Sequence, residues 1–113
     1  MSKRDTTLLL EDMLEAASKI RRYTSGLDYD RFLNDDKTID AVVRNFEIIG
    51  EAANRIDPDF KLKNQEIDWK RIRGFRNRIV HNYFGIDYEI VWTIIEENIS
   101  DLIEWLELMI KKE

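Results

Sequence analysis

The chain contains no cysteine. That excludes a disulfide framework, a thiolate zinc site and a cysteine nucleophile, and it suits a reducing compartment. Proline occurs once and glycine four times, too few for a turn-rich all-β protein. Histidine also occurs once. Long apolar runs are missing. The first, Leu8-Leu9-Leu10, is followed at once by acids, which argues against a signal peptide. No stretch approaches the ~20 apolar residues of a membrane span. These absences lead us to expect a cytoplasmic protein with no membrane association.

What is present suffices for one core. The 113 residues are 43% hydrophobic, so a single packed domain over 1–113 is expected rather than disorder. The net charge of −5 speaks against a general nucleic-acid binder, but its distribution does not. Residues 61–81 hold seven Lys or Arg against two acids, a local +5. Residues 86–113 hold two against eight, a local −6, and the remainder carries −4. A basic segment between acidic ones can focus an anion onto one site. The plainer alternative is a solvated helix face with its counter-charges nearby.

Hydrophobic periodicity predicts four helices and no strand. The first, about 5–23, carries Leu9, Met13, Ala16, Ala17 and Ile20 on one stripe, with Asp5 as its N-cap and Ser25-Gly26 as its end. An acidic, turn-like stretch follows, with Phe32 and Leu33 pinned to the core. The second helix, about 38–56, has a wide apolar face including Phe46 and Ile49, and Asp57-Pro58 stops it. Residues 61–67 read as a connection. The third runs from the cap Asp68 to about Asn82, and the fourth from the cap Asp87 to about Lys111, with Gly85 between them. Short connections between antiparallel helices imply an all-α, up-and-down bundle of four to five helices.

The basic segment holds Arg76-Asn77-Arg78-Ile79-Val80-His81-Asn82-Tyr83. Histidine titrates near neutral pH and can serve as general acid or base. Arginine grips phosphate through two donors at once. Tyrosine offers a hydroxyl and a ring on which a base can stack. This is a kit for cleaving an RNA phosphodiester without a metal. In a continuous helix Arg76 and Tyr83 share one face, and Asn77 and His81 a neighbouring one. Arg76 and His81 would then stand about 140° apart, so they converge only if the helix tightens or ends near His81. One imidazole per chain further suggests a symmetric dimer that brings two motifs to one cleft. Against all this stands the ordinary surface or capping histidine.

Three stretches resemble the HEPN superfamily, in particular the HepT-like toxins of HepT–MNT toxin–antitoxin systems: residues 41–53 around Ile48-Ile49-Gly50-Glu51-Ala52-Ala53, residues 69–83 with the Arg–His–Tyr motif, and residues 87–92. The resemblance implies a dimeric HEPN-like bundle, a metal-independent endoribonuclease with no cofactor, and a cognate MNT-type nucleotidyltransferase antitoxin as partner. It implies that Arg76 and His81 are catalytic and that Tyr83 is the residue adenylylated. Asn77 and Glu51 are expected to support the site, Glu51 by holding Arg76. Glu51 could equally be a buried acid paired for packing. Gly50 is expected to permit close helix approach. Arg73, Arg78 and Tyr83 are expected to contact RNA. The competing readings are a non-catalytic substrate-binding or partner subunit of a nucleotidyltransferase, and a carboxylate-bridged metal bundle. The latter lacks the Glu-x-x-His pairs such sites use.

Overall fold

The computed structural model describes residues 3–81 and 85–112, and within them all side chains except those of residues 3, 4, 76, 77, 80 and 81. The architecture is all-α. Helix α1 spans Lys3–Thr24 and buries Leu9, Leu10, Met13, Ala16, Ala17 and Ile20. Asp5 therefore sits inside its first turn rather than capping it. The helix ends where the Thr24 hydroxyl donates to the carbonyl of Ile20 at 2.8 Å and Gly26 takes a φ of +80°, a conformation that favours glycine. The acidic stretch that follows forms a short helix, α2 (Tyr29–Leu33), capped by Asp28 and anchored by the fully buried Phe32.

Helix α3 (Asp36–Arg55) buries Ile39, Val42, Phe46, Ile49, Ala52 and Ala53, and α1 packs along it. Its cap is Asp35, which accepts from the Thr38 amide at 3.1 Å and from the Thr38 hydroxyl at 2.7 Å. Pro58 stops α3 as expected, but it also starts α4 (Pro58–Lys63) inside the stretch read as a connection. Proline at the first helical position loses no hydrogen bond that the helix would have made.

The third predicted helix is divided. Asp68 caps α5 (Trp69–Arg73), Gly74 interrupts the run, and α6 is Phe75–Ile79. Phe75 meets Phe46 of α3 edge-on, with ring centroids 5.5 Å apart. The expected helix to Asn82 is shorter than predicted, and the expectation of no strand is corrected. β1 (Val80–His81) pairs antiparallel with β2 (Gly85–Ile86), Val80 opposite Ile86 and His81 opposite Gly85. Gly85 takes φ +80°, and the Asp87 amide donates to the Ile79 carbonyl at 2.6 Å.

Asp87 then caps α7 (Tyr88–Glu97), and Asn98 divides the fourth predicted helix from α8 (Ile99–Lys112). Helix α8 returns Leu102, Ile103, Leu106 and Met109 to the core against α1. The bundle's four long runs thus alternate in direction. The α2 connection and the β1–β2 hairpin lie at one end, where Trp92 of α7 stacks near Phe32, centroids 5.1 Å apart. Among the described residues no helix is long and apolar enough to cross a membrane.

The Asp35 cap gives a testable pH dependence. The hydroxyl of Thr38, and then its amide, hold the Asp35 carboxyl below the usual carboxylate range. A lowered folded pKa means the contribution is present above the unfolded value of about 3.9 and is lost as pH falls through the folded value. In urea unfolding, the stability gap between wild type and Asp35→Ala should hold constant from about pH 7 to pH 5 and shrink as pH falls below about 4. A gap that ignores pH would show that the charge of Asp35 plays no part in the cap.

Candidate active site

Two turns of backbone arrange the motif. Arg76 and Asn77 lie on α6, and His81 lies on β1, with the helix ending between them at Ile79. The 140° separation of an ideal helix therefore does not apply. The condition set by the sequence, that the helix end near His81, is met in the backbone. The same ending removes the helix-face argument that grouped Tyr83 with Arg76 and His81 with Asn77, because the chain is no longer helical at His81. The side chains of Arg76, Asn77 and His81, and the whole of Tyr83, lie outside the described residues.

Just upstream of the motif, α3 and α5 form an open groove of about 220 Å³ lined by Glu47, Gly50, Glu51, Asn54 and Arg73. Glu51 is exposed, which corrects the alternative of a buried packing acid. Its carboxylate faces the same opening as Arg73, one helical turn before Arg76. A Cβ on Gly50 would stand 3.8 Å from the Arg73 carbonyl oxygen and 3.9 Å from that of Ile72. That is ordinary van der Waals contact, so α3 and α5 do approach here, but the approach does not require glycine.

The two flanking arginines differ. Arg73 is exposed, whereas Arg78 is half-buried and its Nη1 is buried without a hydrogen-bond partner among the described residues. Lys61 joins this region from α4. Burial lowers its pKa, and the nearby Arg73 guanidinium lowers it further. Two cations held this close are suited to a polyanion that neutralises both. Sequence reasoning counted Lys61 within the basic segment but did not single it out, because α4 was read as a connection. Among the described residues no group of three or more His, Cys, Asp or Glu side chains is placed to hold a metal ion.

The chain matches the family model described as ribonuclease HepT-like over residues 13–109. It belongs to the HepT-like ribonuclease family. The sequence is 40% identical to a candidate RNase of Methanocaldococcus jannaschii over 96% of this chain and 100% of that protein. It is 40% identical to a protein of Thermococcus cleftensis named probable ribonuclease HepT, over 88% of this chain and 91% of the other. A candidate RNase of Caldanaerobacter subterraneus is 33% identical over 92% of this chain and 93% of its own length. No solved structure matches the chain significantly. The family supplies what bare spacing could not: the chain is of a ribonuclease family, and an all-α HEPN-like bundle is its fold.

If Lys61 and Arg73 meet RNA phosphates, each adds about 0.7 to the slope of log affinity against log salt on a single strand. Lys61→Ala and Arg73→Ala should each weaken binding of a single-stranded RNA uniformly across sequences and reduce that slope by about this amount. Fluorescence anisotropy at a series of salt concentrations checks it. Unchanged slopes would remove both residues from the RNA path.

Proposed function

We propose that this ribonuclease is the toxin of a toxin–antitoxin pair. It is a metal-independent endoribonuclease acting in the cytoplasm through Arg76 and His81. A cognate MNT-type nucleotidyltransferase neutralises it by adenylylating Tyr83. The observation that carries the reading is the end of α6 at Ile79. It brings the chain's single imidazole-bearing residue onto a hairpin directly after the helix turn that carries Arg76, within a chain of ribonuclease family.

The ribose 2′-oxygen attacks the adjacent phosphorus, the bond to the 5′-oxygen breaks, and a cyclic phosphate remains on the upstream fragment. One histidine takes the 2′-hydroxyl proton, and a second protonates the departing 5′-oxygen. One chain has one imidazole, so a two-fold homodimer supplies the pair. Arg76 stabilises charge on the phosphoryl oxygens. Asn77 and Glu51 orient the site, while Arg73, Arg78 and Lys61 hold flanking phosphates. An adenylyl group on Tyr83, two residues past His81 in the chain, adds a permanent negative charge that competes with the RNA phosphate for the motif's arginine.

His81→Ala and Arg76→Ala should each lower RNA cleavage by about 10²–10⁴, with the helical circular-dichroism signal retained and wild-type cleavage surviving EDTA. Wild-type rates in His81→Ala would overturn the catalytic assignment. In a separate assay, intact mass after incubation with the nucleotidyltransferase and ATP should show added AMP on wild type and none on Tyr83→Phe. An equal mass gain on both would move the modification elsewhere.

A further inference from the structure

A second opening lies at the hairpin end of the bundle, where α2 meets the first turns of α7. Tyr29, Glu89, Ile90, Trp92 and Thr93 line a groove of about 480 Å³. Trp92 rests on the buried Phe32 and stands 6.2 Å from the Tyr29 ring, tilted by 44°. Both Tyr29 and Trp92 are only partly buried, so ring surface remains open to the groove. Glu89 is exposed, and among the described residues no ion pair or hydrogen bond engages its carboxylate. The Thr93 hydroxyl is turned back to the Glu89 carbonyl at 2.9 Å.

This groove lies near the motif along the chain. Glu89 lies four residues past Gly85, the hairpin partner of His81. The Cα atoms of Gly85 and Glu89 can therefore be no more than about 15 Å apart. A strand of RNA whose phosphate sits at the hairpin would present a neighbouring base here.

We propose that the Tyr29–Trp92 groove is a base-recognition pocket that takes a guanine adjacent to the cleaved phosphate. Trp92 stacks on the base, Glu89 accepts from its N1–H and N2–H, and the Tyr29 hydroxyl donates to O6. The inference rests on the ribonuclease reading above.

Chemistry selects guanine among the bases. A carboxylate has two acceptors side by side and no donor, and guanine alone offers two adjacent N–H groups on its Watson–Crick edge beside an acceptor. Adenine would turn its N1 lone pair against the carboxylate. Cytosine and uracil offer a single donor group each. The Tyr29 phenol stays a donor at neutral pH. Loss of solvation raises its pKa, and the charges of Glu89, Asp87 and Asp30 raise it further. The same carboxylates keep phosphates out of the groove, so a neutral base with a donor-rich edge is the part of RNA that can enter. A bidentate pair of this kind discriminates by about 5- to 150-fold.

The test uses the full chain in two arms. Tryptophan fluorescence is titrated with GMP, AMP and arginine amide, with Trp92→Phe to assign the signal. Cleavage is then measured on RNA oligonucleotides that differ only in the base beside the scissile phosphate. GMP should quench at concentrations where AMP does not, and Glu89→Gln should erase the difference. In cleavage, the kcat/KM ratio of guanine over adenine should lie within that range and fall toward one in Glu89→Gln. Equal binding of GMP and AMP, or a ratio indifferent to Glu89→Gln, overturns the pocket. Quenching by arginine amide without nucleotide discrimination also overturns it, in favour of a docking point for a basic protein side chain. If no RNA of any sequence is cut, the ribonuclease reading fails by itself, and the nucleotide titration still decides the groove.

Discussion

The hydrogen bond from the Asp87 amide to the Ile79 carbonyl, 2.6 Å long, fixes where one helix stops and the next begins. The same residue's carboxylate accepts from the Ile90 amide at 3.1 Å and starts α7. Asp87 thus ends α6 with its backbone and begins α7 with its side chain. Between those anchor points the chain doubles back, with Gly85 at a φ that other residues adopt only under strain. His81 is held opposite Gly85 by this geometry rather than by helix periodicity. Without the bond, the apolar run Ile79-Val80 could extend the helix and carry His81 around to a face away from Arg76.

The long helices were legible because burial repeats every three to four residues. Leu9, Met13, Ala16, Ala17 and Ile20 line the core as the spacing demands, and Asp68 and Asp87 cap as their positions suggest. The interruptions were not legible. Gly74 and Asn98 divide helices whose apolar pattern runs on across them. A two-residue strand is too short to show alternation, so the hairpin stayed hidden within a helical pattern. Pro58 was read for the helix it ends, not for the one it starts.

The site was legible to the extent that it is linear. Arg76, His81 and Tyr83 stand close in the chain, and the family resemblance gave them meaning. Glu51 was singled out because it belongs to the same resemblance, though its exposure was not foreseen. Lys61 and the Tyr29–Trp92 groove depend on residues far apart in sequence, brought together by α4 and α2. Neither short helix carries enough periodicity to announce itself.

The packing of α1 against both α3 and α8 has a consequence for the order in which the molecule is made. The first helix shares its apolar stripe with the 14-residue α8, which is synthesised after all the other described helices. Until then one flank of α1 is uncovered and the bundle is incomplete. A nascent chain of this kind closes its core only once α8 has emerged, so the ribonuclease fold is complete only after the whole stretch from α1 to α8 has been translated.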